Sequence, residues 1–156
     1  MWGRMILAIL QGRMSSSRLP GKVLKPLLGR PMVLRQIERL SRARRIDKLV
    51  LATSTEPSDD PLAETLASEG IAVHRGPLEN VLARFAGALD AHPADHVVRL
   101  TADCPLTDPQ GVDDTITLHL ERGADYTSNT PDTFAFPKGL DVEVVAASAL
   151  RRAAAE

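Results

Sequence analysis

Four short aliphatic runs, each handing over to an amphipathic stretch, constrain this chain more than any other feature. Met5–Leu10, Lys48–Thr53, Ile71–His74 and His96–Leu100 are of strand length, and the first two read as apolar without alternation. A strand that is apolar on both sides must be covered on both sides, which is the habit of a parallel sheet. Between and after these runs lie helical patterns. Val33, Ile37 and Leu40 repeat behind Pro31, Leu62 and Leu66 follow Asp59-Asp60, and Leu78, Val81, Leu82, Phe85 and Leu89 form a third stripe. A fourth helix is expected from Pro109 to about Arg122, closed by Gly123. Strand and helix thus alternate four times, with connections long enough for right-handed crossovers. That predicts an α/β chain: a three-layer α/β/α, Rossmann-like, mostly parallel sheet with helices on both faces. Later, Asp125–Thr127 and Gly139–Val145 read as strands, Ser128–Lys138 as a loop and Ala146–Ala155 as a final helix.

Composition narrows the function classes. The length of 156 residues suits one domain with one substantial core. Aromatic residues are 3%, too few to supply stacking platforms for single-stranded nucleic acid. The single cysteine, Cys104, has no internal disulfide partner, which fits a reducing compartment. Met5–Leu10 is too short for a secretory apolar region, and no run approaches membrane-spanning length, so a cytoplasmic protein without membrane partners is expected. Charge is divided along the chain. Residues 1–48 hold 12 of the 19 lysines and arginines but only two acids, Glu38 and Asp47. A basic first third suits an anionic ligand. Arg35, Arg39, Arg42, Arg44 and Arg45 are expected to solvate one helix face, whereas Arg13, Arg18 and Lys22 sit in a loop.

That loop, Gln11-Gly12-Arg13-Met14-Ser15-Ser16-Ser17-Arg18-Leu19-Pro20-Gly21-Lys22, directly follows the first strand. Backbone N–H groups of a glycine-bounded turn, serine hydroxyls and cationic ends can converge on phosphate oxygens. Eight residues separate Gly12 from Gly21-Lys22, and Val23 follows the lysine, so this is not a Walker loop. Asp103 also follows a strand directly. Ligands of open parallel sheets bind beyond the carboxyl ends of the strands, so loop and carboxylate can share one edge.

Arg13 to Lys22 resembles the R-x-x-S-[ST]-R-L-P-[GA]-K signature of sugar cytidylyltransferases, which activate 3-deoxy-octulosonate and acylneuraminate as CMP-sugars. The resemblance is closest to the spore coat polysaccharide biosynthesis protein F group. Ala52–Ser54, Arg75-Gly76 with Asn80–Phe85, Arg99–Pro105, Ser128-Asn129 and Pro137–Val144 follow that group's pattern in order. The resemblance implies the nucleotide-diphospho-sugar transferase fold and transfer of CMP from CTP to a sugar or sugar acid, releasing pyrophosphate. It implies Gln11, Gly12, Arg13, Ser16, Ser17, Arg18 and Lys22 around the nucleotide, with Arg84 and Thr101 near the nucleoside. Arg13, Lys22 and Asp103 would be the catalytic set, and Asp103 the ligand for Mg2+. Asn129, Asp141 and Glu143 would face the acceptor.

The family pattern continues past the Gly139–Val145 strand, carrying a second acidic metal position and part of a dimer contact. Residues 1–156 are therefore expected to form one nucleotidyltransferase-like domain without its usual C-terminal part. A binding module for a nucleotide or sugar, impaired in turnover, is the alternative. A D-x-D pair, expected of a glycosyltransferase, is not found at Asp103-Cys104-Pro105. His74, His92, His96 and His119 lack metal-ligand spacing and are expected to be structural or exposed.

Overall fold

Ile6 to Leu10 are at most 3% exposed, so this strand must be paired on both edges and covered on both faces. The computed structural model of the chain describes residues 4–130 and 136–156, and it does both. Strand β1 (Ile6–Gln11) lies between β4 (Lys48–Ser54) and β6 (His96–Thr101), parallel to each. Beyond β4 comes β5 (Ala72–Gly76), also parallel. Beyond β6 come β8 (Glu143–Ala146) and β7 (Tyr126–Ser128), so the order is β5-β4-β1-β6-β8-β7. Only β8 runs against the others, antiparallel to both neighbours.

The side chains of β1 alternate between two cores. Ile6, Ala8 and Leu10 join Leu34 and Leu40 of α1 (Met32–Leu40), Leu62 and Leu66 of α2 (Asp60–Ser68), and Val112 and Ile116 of α4 (Pro109–Arg122). Leu7 and Ile9 join Phe85, Ala88 and Leu89 of α3 (Val81–Ala91) and Leu150 of α5 (Ala147–Ala155). Fully burying one such aliphatic side chain contributes roughly 1.5–3 kcal/mol, so β1 alone anchors both layers. The three-layer α/β/α expectation holds. It was legible because the central strands β1 and β4 are apolar on both faces and need cover on each.

The helix ends follow local chemistry. Asn80 caps α3 by accepting from Ala83 N at 2.9 Å, Asp108 caps α4 through Gln110 N and Gly111 N, and Gly123 closes α4 at φ 57. Pro31, expected as the first helical residue, instead stands just before α1 with extended ψ.

One stretch adds elements that the sequence reading did not assign, and another differs from it. Val23–Leu28 is a 3-10 turn (Lys22–Leu24) followed by a hairpin of β2 (Pro26–Leu27) and β3 (Arg30–Pro31). Its turn places Leu28 at φ 51 and Gly29 at φ 76, the paired left-handed residues of a two-residue hairpin loop. Arg35 does more than solvate α1, because it donates to Leu27 O and Leu28 O at 3.1 and 2.6 Å and pins that hairpin. The Gly139–Val145 strand begins only at Glu143. Asn129 explains this: its Nδ2 donates to Leu140 O and its Oδ1 accepts from Val142 N, both at 2.8 Å, taking the backbone groups a ladder would use. Residues 131–135 of the expected 128–138 loop lie outside the described residues.

At the amino end of β6, His119 is wholly buried and its Nε2 lies 3.0 Å from His96 Nδ1, while its Nδ1 lies 2.9 Å from Thr127 Oγ1. Burial holds both imidazoles below the usual histidine range. Arg4 opposes charging of each, and Asp95 and Asp125 offset this in part. The unfolded chain therefore takes up protons below about pH 6.5 that the folded pair resists, so stability falls as pH drops through that value. Urea unfolding is expected to give lower stability at pH 5 than at pH 7, with a smaller difference in His119→Gln; equal slopes in the two proteins would refute the assignment to this pair.

Candidate functional site

The crossovers through α1 and α2 lie on one face of the sheet and the crossover through α3 on the other. After β1 the chain crosses toward β4 and after β6 it crosses toward β7, so the two exits diverge and leave a crevice at their carboxyl ends. A cavity of about 240 Å³ opens there, and its wall contains Gln11, Gly12, Arg13, Ser16, Ser17, Arg18, Lys22, Thr101 and Asp103. All of the loop positions expected to hold phosphates are thus brought to one place, together with the aspartate from β6. Arg84, Asn129, Asp141 and Glu143 do not line this cavity.

The loop leaves β1 through a close passage. Ala102 N donates to Gln11 O at 2.8 Å, and Gly12 N donates to Ala52 O at 3.2 Å, so both sheet edges continue one residue past the strand. A Cβ on Gly12 would stand 2.8 Å from the Cβ of Ala102, closer than side chains tolerate. The loop then folds on Met14, whose carbonyl accepts from Ser16 N at 2.9 Å and Gly21 N at 2.8 Å. Gly21 makes the return possible at φ 70.

Lys22 Nζ lies 2.5 Å from Asp103 Oδ2, with both side chains about one third exposed. Burial pushes the Asp103 carboxyl up, but hydrogen bonding and charge from Lys22 outweigh it and hold it below the usual carboxylate range. Arg13 and Arg18 are exposed and join no ion pair among the described residues, leaving two cations free beside the serines. Cys104 is half-buried, its thiol pushed up by burial, and its Sγ lies 3.2 Å from Thr101 Oγ1. Among the described residues no three His, Cys, Asp or Glu cluster closely enough to enclose a metal ion.

Two supporting residues were missed by sequence reasoning. Gln36 on α1 is fully buried. Its Nε2 donates to Thr101 O at 2.8 Å and Thr107 Oγ1 at 3.0 Å, and its Oε1 accepts from Cys104 N at 3.3 Å. It thereby ties down the turn that carries Asp103. A glutamine between Val33 and Leu40 on an apolar stripe was the available signal. Arg39, read as a solvating residue, reaches the same turn and donates to Thr107 O at 3.0 Å. The other is Asp59, read with Asp60 as the start of a helix and found fully buried. Its Oδ1 accepts from Met14 N at 2.6 Å.

Arg84 is 1% exposed and lies against Gly76; its Nη1 donates to Pro77 O at 2.9 Å and Leu78 O at 3.3 Å. Burial lowers its pKa, with Asp59 opposing and Arg13 adding to the shift. Arg84 Nε and Gln11 Oε1 are buried atoms with no hydrogen-bond partner among the described residues. On the other flank, Glu143 pairs with Arg99 at 2.8 Å, and Asp141 is exposed close enough to Cys104 to raise its thiol. The Asn129 side chain is engaged with the 140–142 backbone and bears on this flank through that segment.

Comparison with known proteins agrees with this geometry. The family profile described as Cytidylyltransferase matches residues 7–152. A spore coat polysaccharide biosynthesis protein of Bacillus subtilis is 40% identical over 126 residues, covering 78% of this chain and 52% of the relative. The 3-deoxy-manno-octulosonate cytidylyltransferase of Geobacter sulfurreducens is 33% identical over 121 residues, covering 76% of this chain and 47% of the relative. The chain thus spans about half the length of these curated relatives. The solved structure of a cytidylyltransferase from Leptospira borgpetersenii superposes with a TM-score of 0.90 at 30% identity, covering 96% of this chain and 63% of that one.

The narrow passage at Gly12 gives a direct test of how the crevice is built. Gly12→Ala is expected to destabilise the fold by about 1–3 kcal/mol, because neither flanking backbone can retreat without breaking ladder hydrogen bonds. Chemical denaturation measures this, and a stability equal to wild type would show that the β1–β6 passage is not tight.

Proposed function

The chain belongs to the cytidylyltransferase family, and from that premise we propose that it binds CTP in the β1–β6 crevice and transfers CMP to a sugar or sugar acid. The observation that carries this reading is the convergence of Arg13, Ser16, Ser17, Arg18 and Lys22 with Asp103 on one cavity. A triphosphate brings several negative charges to a small volume, and this wall offers three cations and two hydroxyls for them.

In the proposed reaction an acceptor hydroxyl oxygen attacks the α-phosphorus and its proton passes to water. The bond from that phosphorus to the bridging oxygen breaks, and pyrophosphate leaves with the bond electrons. Such transfers depend mainly on positioning and charge neutralisation. Arg13 and Lys22 are assigned to the charge developing on the leaving pyrophosphate. Ser16, Ser17 and Arg18, with the Gly12 backbone, cradle the remaining phosphate oxygens. The nucleoside is placed toward Gln11, Thr101 and Arg84. The unpartnered Gln11 Oε1 supports this, because it belongs to a residue of the cavity wall and lacks the partner a base or ribose could supply. Asp141 and Glu143 are assigned to the acceptor flank, where Asn129 positions the 140–142 segment.

The donor set suits Mg2+, which favours one or two carboxylates together with phosphate oxygens and water. Asp103 is the carboxylate in the cavity wall, and the ion when bound supplies further positive charge to the phosphates. Until then Lys22 holds that carboxylate, and its flexible ammonium can turn to a phosphate oxygen when nucleotide arrives.

Isothermal titration with CTP, ATP and NAD, each with Mg2+, tests the nucleotide assignment, and preference for ATP or NAD would sink it. Pyrophosphate release against a panel of sugars and sugar acids tests transfer; CTP binding without release would favour the binding-module reading. Arg13→Ala and Lys22→Ala are each expected to lower kcat by about 10²–10³-fold, by analogy with the removal of one preorganised charge-stabilising donor.

A further inference from the structure

The phosphate-facing loop rests on very few contacts outside itself. Among the described residues Gly12 continues the sheet, Lys22 reaches Asp103, and between them the loop is held to the protein body by the Met14 side chain packed against the core and by the Asp59–Met14 bond. Met14 is the residue on which the loop closes, since its carbonyl takes both Ser16 N and Gly21 N. Fixing the Met14 amide therefore fixes the pivot from which Arg13, Ser16, Ser17 and Arg18 are presented.

Asp59 is itself firmly held. Its second oxygen accepts from Ser54 N at 3.3 Å and from Ser54 Oγ, so a wholly buried carboxylate has donors on both oxygens. The turn that carries it is gripped from β5. Arg75 donates to Ser54 O at 2.8 Å and to Glu56 O at 2.9 Å, and pairs with Asp60 at 2.6 Å. One continuous line of polar contacts thus runs from β5 through the 54–60 turn to the loop after β1.

We propose that Asp59 is a positioning residue for nucleotide binding: clamped by Ser54 and, through the turn, by Arg75, it holds the Met14 amide and so sets the phosphate loop in its binding conformation before the nucleotide arrives. The link to nucleotide rests on the reading above, while the hold on the loop does not. A burial role alone would require only that Asp59 be satisfied, which Ser54 already does on one oxygen. The bond to Met14 crosses 45 positions of sequence to reach the loop's pivot. Charge on the acceptor matters, because hydrogen bonds to a carboxylate are roughly twice as strong as those to a neutral amide.

Asp59→Asn keeps the shape and weakens this acceptor. In nucleotide-free protein, amide exchange at Met14, Ser16 and Gly21 is expected to quicken about tenfold, with β1 and β6 protected as in wild type. CTP affinity is expected to fall about tenfold. Arg75→Gln, which loosens the turn without touching the buried carboxylate, should move the same three amides about threefold. Exchange and affinity both within twofold of wild type in Asp59→Asn would overturn the proposal. So would acceleration spread evenly over the core strands, which would make Asp59 a general stability residue. If Asp59→Asn does not fold, Arg75→Gln decides: unchanged exchange at the three amides rejects the proposal. Failure of wild type to bind CTP would refute the nucleotide reading, while the exchange arm would still judge Asp59.

Discussion

Everything in this molecule is referred to the double pairing of β1. A strand hydrogen-bonded in parallel on both edges, with aliphatic side chains on both faces, has no freedom to shift by one residue. Any slip would exchange the contents of the two cores. That fixed register sets where Gln11 and Gly12 emerge, level with Thr101 and Ala102 of β6. The crevice between those ends is then a consequence of topology, because the chain leaves β1 toward β4 and leaves β6 toward β7, in opposite directions along the sheet.

What topology leaves undetermined is settled by buried polar side chains. Gln36 and Asp59 lie at the edge of the apolar layers, each fully buried and each supplying hydrogen bonds to a loop rather than to another side chain alone. Gln36 acts on the turn after β6 and Asp59 on the loop after β1. The two walls of the crevice are thus braced from beneath by groups that do not line the cavity. An unmatched polar group in such a position costs about 1–3 kcal/mol, so each brace is favourable only while its loop stays in place. Loop order and core satisfaction are two descriptions of the same equilibrium.

The parts legible in the sequence were those governed by local rules. Aliphatic runs marked β1, β4 and β6, proline and glycine marked the ends of α4, and the glycine, serine and arginine content of 11–22 marked the loop that lines the cavity. The rest depends on pairings between residues far apart. Asp59 beside Asp60 looks like the acidic first turn of a helix, and its burial arises only when the loop after β1 folds over it. Gly139 to Val142 has strand-like composition, but Asn129 takes its backbone bonds first. Arg84 was singled out through resemblance, whereas its near-complete burial against Gly76 belongs to tertiary packing. Arg35 and Arg39 had the composition of solvating residues, and only their tertiary partners distinguish them from Arg42.

The reversal of β8 has its own consequence for how such a site can diversify. Each of β1, β4, β5 and β6 meets the crevice edge at its exit, so the residues there lead into a crossover helix and are constrained by its docking. The antiparallel strand meets that edge at its entrance. The segment leading into it, with Asp141 and the Asn129 that secures it, lies outside any βα unit. Substitution on this side would alter what stands beside Cys104 while the crossovers beside the 11–22 loop keep their docking. The fold thereby separates a conserved-by-architecture half from an adjustable half along a single seam.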